Sequence, residues 1–215
     1  MKVNWPERIW VNSPVRRLVQ GREIRYFKMS RPMPKGGRFL EIGCGNGFGT
    51  RLVCLHFYPE RVNALDIDPD MIEFAVRKFQ RFTNGCAAFF VADAQHLPYG
   101  AGSFDAVFNF GIIHHLEQWE LGIKEISRVL KEGGGFYFEE IYPPLYANPL
   151  FRHLLAHPRQ NRFYSREFHE VLEDAGLTLL PGYRESMFGI LGVAEKKSRP
   201  GSSLAEGLTR YKGET

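Results

Sequence analysis

Residues 38–47 read Arg38-Phe39-Leu40-Glu41-Ile42-Gly43-Cys44-Gly45-Asn46-Gly47. A short apolar run leads into three glycines at alternate positions, and residues 48–57 (FGTRLVCLHF) continue with helical patterning. The stretch is therefore a buried strand, a tight turn and a helix. Glycines in such a turn let the backbone bend sharply and approach a ligand with no Cβ in the way. Residues 61–67 (RVNALDI) form the next strand, with Asp66 near its end, nineteen residues after Gly47. An acid at about that distance is placed to accept hydrogen bonds from ribose hydroxyls. Glycine loop and acid together point to an adenosine-containing ligand at the carboxyl ends of the strands. The glycines do not fit G-x-G-x-x-G: counted from Gly43, Gly45 or Gly47, the sixth position holds Phe48, Thr50 or Leu52. That argues against a dinucleotide such as NAD. No Lys-Ser/Thr follows the glycines, which excludes a P-loop.

Working outward, the alternation continues. Pro69 opens a helix over 69–82, and strands follow at 87–92, 104–110 and 136–141 (FYFEEI), the last after a turn at Gly133–Gly135. Helices are expected at 14–30, 117–130 and 165–175. Strands alternating with helices imply crossover connections and a mostly parallel sheet with helices on both faces. The final runs, 177–185 and 188–195, are too close for a helix between them and form an antiparallel hairpin. The fold class is thus α/β, a three-layer sandwich on a seven-stranded, mostly parallel sheet with a C-terminal antiparallel hairpin strand.

The chain has 215 residues, 44% hydrophobic and 24% charged, the usage of one globular domain. No run approaches a membrane span, and MKVNWPERIW lacks the apolar core of a secretory signal. Cys44, Cys54 and Cys86 show no paired spacing and read as reduced thiols of a cytoplasmic protein. The net charge of +4 is unevenly spread. Residues 1–38 hold ten basic and two acidic residues, a net of +8, ahead of a mildly acidic body. Such an arm suits nucleic acid, an anionic membrane surface or an acidic substrate, or is a solvated helix face. The expected organisation is a basic helical arm or lid at 1–35, a ligand-binding domain at 36–196 with a lid insertion at 142–164, and a polar tail at 197–215.

The glycine stretch E-x-G-x-G-x-G resembles the first motif of the class I S-adenosylmethionine-dependent methyltransferases, which have a Rossmann-like fold. The likeness runs over about residues 36–195. Ala64-Leu65-Asp66-Ile67-Asp68-Pro69 resembles the family's second-strand segment. Val91-Ala92-Asp93-Ala94-Gln95-His96-Leu97-Pro98 resembles its third motif, Ser103–Val107 leads into the fourth strand, and Arg128–Gly134 resembles the turn before the fifth. Within the family the chain looks most like the type-11 branch, which includes quinone-ring and small-molecule methyltransferases. It has Glu132 where the family often has proline, a departure confined to a turn.

The resemblance implies S-adenosyl-L-methionine as cofactor, S-adenosyl-L-homocysteine as product, and methyl transfer by in-line displacement. Gly43, Gly45 and Gly47 would meet the methionine end, with Cys44 beside them, and Glu41 would orient the loop or a bound water. Asp66, next to Ile67, would hold the ribose, while Asp68 caps the following helix. Asp93, next to Ala94, would hold the adenine amino group. Asn109 and Phe110 would lie under the transferring methyl. His114 and His115 follow the fourth strand and are candidate general bases or loop-holding residues. Glu139, Glu140 and Tyr142 end the fifth strand, and alternation along a strand sends one glutamate away from the site. His153 and His157 have metal-ligand spacing, but no third ligand is evident, and no metal is expected. The acceptor expected is a small or lipid-like molecule, with peripheral membrane contact possible. Nucleic acid is the alternative acceptor, weakened because residues 109–112 read NFGI rather than N-P-P-Y. A non-catalytic S-adenosylmethionine-binding module is the other alternative. The acceptor atom and the oligomeric state are not legible.

Overall fold

Strands buried on both faces read as continuous apolar runs, and the centre of this protein is built from them. β1 (Arg38–Ile42), β2 (Arg61–Asp66), β3 (Ala87–Val91), β4 (Phe104–Phe110) and β5 (Leu130–Ile141) are mutually parallel. β6 (Leu177–Leu179), β7 (Arg184–Ser186) and β8 (Gly189–Lys196) complete the sheet. β8 runs antiparallel to β5, β6 and β7. The strand order is β3-β2-β1-β4-β5-β8-β6, with β7 paired to β8. The order reverses between β1 and β4, and crevices for ligands open at such a reversal. The structure is a computed structural model and describes residues 5–79, 82, 85–146 and 160–198.

Helices α1 (Trp5–Asn12), α2 (Pro14–Ser30), α3 (Phe48–Phe57), α4 (Pro69–Phe79), α5 (Trp119–Val129), α6 (Pro143–Tyr146) and α7 (Ser165–Asp174) follow the same chain order. One face of the sheet packs Phe39, Phe108 and Tyr137 against Ile24 and Phe27 of α2 and Leu52, Val53 and Phe57 of α3. The other face packs Leu40, Ile42, Val107, Phe136 and Phe138 against Trp119, Ile123 and Ile126 of α5 and Phe168 and Leu172 of α7. This is the Rossmann-like three-layer sandwich that the alternation implies.

Four details differ from the sequence reading. The sheet has eight strands, because the expected strand 177–185 is broken at Leu180-Pro181-Gly182 into β6 and β7. Proline has no N–H for a ladder, and Gly182 adopts φ 91°. β5 begins at Leu130 rather than after the glycines: Phe104 pairs with Leu130 and Ala106 with Gly135, so residues 131–134 bulge out of a continuous strand. A helix, α1, precedes α2. The chain breaks between them at Ser13, whose hydroxyl accepts the Arg16 N–H at 3.1 Å, with Pro14 at the first position of α2. Finally, Cys54 and Cys86 are joined as a disulfide rather than standing as thiols, and Cys44 alone is free and buried. Sequence spacing could not show this, since the two cysteines lie 32 residues apart, one in α3 and the other just before β3.

Of the expected lid insertion 142–164, residues 147–159 lie outside the described residues, as do His153 and His157. Residues 199–215 of the tail do so too. No helix among the described residues is long and apolar enough to cross a membrane.

Phe108 is the hub of one core layer. Its ring stacks on Tyr137 at 4.7 Å and meets Phe57 at 5.1 Å and Phe39 at 5.7 Å. Phe108→Ala is expected to cost about 3–5 kcal/mol, the range for truncating a buried aromatic, read as a lowered denaturant midpoint with unchanged slope.

Candidate functional site

The turn after β1 is held in the left-handed region at all three glycines, with φ of 62° at Gly43, 50° at Gly45 and 78° at Gly47. A Cβ at Gly43 would overlap the Ile112 side chain, so glycine is needed there for conformation and for space. The Gly45 N–H donates to Asp66 Oδ2 at 2.8 Å, and the Asp68 N–H donates to Asp66 Oδ1 at 2.9 Å. One carboxylate thus ties the end of β2 to the glycine loop, and its two oxygens have more lone pairs than these backbone donors use. Burial pushes the Asp66 carboxyl above its ordinary range, against the backbone hydrogen bonds that lower it. Asp68 accepts the Asp70 N–H at 3.2 Å, which caps α4, and is ion-paired to Arg8.

Glu41 sits behind the loop. It is buried, and its carboxylate accepts the Thr50 hydroxyl of α3. Burial pushes its carboxyl up to about 8, with the nearby charge of Asp66 acting in the same direction. Its place joins the strand to the helix on either side of the glycine loop.

These elements form the floor of a cavity of about 930 Å³, counted with its open mouth. Of the residues that the sequence singles out, Gly43, Cys44, Gly45, Asp66, Ile67, Asp93, Ala94, Phe110 and His115 line it. Glu41, Gly47, Asn109, His114, Glu139 and Tyr142 are not among its lining residues. Asp93 Oδ1 accepts the Gln95 N–H at 2.8 Å.

The far wall, residues 110–116, hangs on Glu140. Its Oε1 accepts Asn109 Nδ2 at 2.6 Å and the Ile113 N–H at 2.7 Å. Its Oε2 meets the His114 N–H at 3.3 Å and His114 Nδ1 at 2.6 Å. An ionised carboxylate offers only acceptors, so against ionised Glu140 His114 is the Nδ1–H tautomer. Burial holds the His114 imidazole down to about 4 and raises the Glu140 carboxyl to about 7. His114 is therefore a buried neutral link in the wall, with His115 4.3 Å away between ring centres and facing the cavity. Alternation turns Glu139 to the other side of β5, where its Oε2 lies 3.1 Å from Arg16. Tyr142 is buried, and its hydroxyl donates to Glu185 at 2.5 Å, joining β5 to β7. Asn109 is fully buried and also accepts the Ile112 N–H at 3.1 Å through Oδ1.

The sequence reading did not name the residues that α1 and α2 bring to the cavity, Val11, Arg16 and Gln20. Arg16 donates to Glu23 at 2.7 Å, to the Phe110 carbonyl at 2.9 Å and to Glu139 at 3.1 Å. Opposite charges two helical turns apart, Arg16 and Glu23, were the one signal available. Asn46 of the loop donates to the Val11 carbonyl at 3.3 Å and to Asn12 Oδ1 at 2.9 Å. Among the described residues no three His, Cys, Asp or Glu gather as a metal site requires.

Residues 40–138 match the family model described as a methyltransferase domain. A fatty-acid O-methyltransferase of Mycolicibacterium smegmatis is 35% identical over 109 residues, 51% of this chain and 39% of that protein. A phthiotriol/phenolphthiotriol dimycocerosates methyltransferase of Mycobacterium leprae is 30% identical over 112 residues, 50% of this chain and 39% of that protein. The match thus spans 39% of the length of each of these two curated relatives. Among solved structures, an S-adenosylmethionine-dependent methyltransferase from Aquifex aeolicus shares the fold with a TM-score of 0.70 at 18% identity, covering 91% of this chain and 100% of that one.

The Glu41 carboxyl has a testable signature. It keeps its proton in the folded protein to about 8 but loses it near 4.5 when unfolded. Its contribution to stability is complete below pH 4.5 and is lost as pH rises to about 8. Across that window the parent is expected to lose stability relative to Glu41→Gln by up to about 1.4 kcal/mol per pH unit, read from urea titrations at stepped pH.

Proposed function

We propose that this chain transfers a methyl group from S-adenosyl-L-methionine to a small-molecule or lipid-like acceptor, leaving S-adenosyl-L-homocysteine. The observation that carries the reading is the cavity at the β1/β4 reversal, floored by a left-handed glycine loop that is hydrogen-bonded to Asp66. The residues present fit the cofactor. Gly43, Cys44 and Gly45 bare the backbone on the cavity side, and the remaining lone pairs of Asp66 suit ribose hydroxyls. Leu65, Ile67, Met71, Ala92 and Leu116 give apolar walls for a purine, with Asp93 at their edge as a hydrogen-bond acceptor. When bound, the cofactor supplies an activated methyl group on a sulfonium sulfur.

The protein's own work is then to align and to exclude water. Phe110 and Ile112 wall the acceptor side, and Arg16 and Gln20 reach it from α2. His115 takes the proton from an acceptor that carries one. His114, Asn109 and Glu140 act through the wall rather than on substrate, and Glu139 holds Arg16. The mainly apolar lining favours a lipid-like or small apolar acceptor, and the relatives' names agree. They print a fatty acid and dimycocerosate lipids.

Calorimetric titration with S-adenosyl-L-methionine and S-adenosyl-L-homocysteine tests the cofactor. Asp66→Ala is expected to weaken both by about 10–100-fold, the worth of hydrogen bonds to a charged group, with NADH silent. Incorporation of labelled methyl groups into a panel of fatty acids and phenolic lipids tests the acceptor. Silence with both sulfur nucleosides overturns the reading.

A further inference from the structure

Methyl transfer leaves unused one face of the molecule, the outward side of α2. Beyond Pro14 at its start, its exposed residues are Val15, Leu18, Arg22, Arg25, Lys28 and Met29. At 3.6 residues per turn they fall along one side of the helix. Val15 is 56% exposed, Leu18 57% and Met29 78%. The one acid of α2, Glu23, is buried against Arg16 and gives this side no counter-charge. Neighbouring elements carry the same sign. Lys28 and Lys35 both lie over the exposed ring of Tyr58, at 5.7 and 5.0 Å. His56 of α3 is lowered by burial and then by Lys28 and Arg25, and Lys78 of α4 by burial and then by Arg17.

Gathered like charges repel one another, and large apolar side chains among them cost contact with water. A surface that is negative outside and apolar beneath relieves both. We propose that the outward face of α2 docks on an anionic phospholipid bilayer. Arg22, Arg25 and Lys28 meet headgroup phosphates, and Val15, Leu18 and Met29 enter the interfacial layer. The inner side of the same helix gives Arg16 and Gln20 to the cavity, so the docked helix would stand between the lipid and the cavity. Nucleic acid would use the cations but leave the three interleaved apolar side chains in water. The proposal stands on the composition and exposure of the face and needs no cofactor.

The full chain is floated with vesicles of pure phosphatidylcholine and with vesicles of equal parts phosphatidylcholine and phosphatidylglycerol, at low and high salt. It is expected to float with the anionic vesicles alone and to be released by salt. Arg22→Gln with Arg25→Gln lowers that partitioning about 25-fold, at ~5-fold per charge removed. Leu18→Ser with Met29→Ser weakens it at constant charge, with melting temperature and circular dichroism unchanged. Equal binding to both vesicles, binding to neither, or parent-like binding by the charge variant overturns the proposal. Capture of a short RNA by this face with vesicles ignored also overturns it and assigns the face to nucleic acid. Each of these failures leaves the cofactor titration untouched.

Discussion

The hydrogen bond from the Gly45 N–H to Asp66 is the contact on which the site depends. It closes the turn after β1 onto the end of β2, where the strand order is about to reverse on the β4 side. Three positive-φ glycines at alternate positions make the closure possible, because side chains there would be strained and one at Gly43 would collide with Ile112 of the opposite wall. Glu41 and Thr50 brace the turn from behind, so the loop is held by a buried carboxyl on one side and an acid facing the cavity on the other.

The opposite wall is built differently. It has no glycine motif of its own beyond Gly111 and is shaped by a single buried carboxylate, Glu140, which collects donors from Asn109, Ile113 and His114. On the other side of β5, Glu139 meets Arg16 and joins the wall to the N-terminal helices. Two adjacent glutamates thus serve two different parts of the molecule, because neighbouring side chains of a strand leave it on opposite faces. Arg16 links α2, β4 and β5 through three partners and also lines the cavity.

The sheet, its helices and the glycine-loop side of the cavity were legible from local pattern. Apolar runs ending in glycine, an acid at the end of β2 and Pro69 after Asp68 each declare themselves within a few residues. What was missed required distance. His114 and Asn109 looked like site residues by position, yet their polar atoms are turned into the wall by Glu140, about thirty residues further on. Arg16 looked like one cation of a basic arm, yet it is buried among carboxylates. Cys54 and Cys86 looked unrelated until α3 and β3 brought them together.

The sequence by itself determined the class of fold, the order of its elements and the glycine turn that floors the cavity, because periodicity, glycine and capping act over one or two turns of chain. Only the tertiary structure decided which polar groups face the cavity and which face one another. It alone showed which residues of the N-terminal helices line the cavity, and that α2 keeps its cations and exposed apolar residues on one outward side. Those outcomes depend on burial and on partners far apart in the chain, and spacing along a sequence carries no record of either.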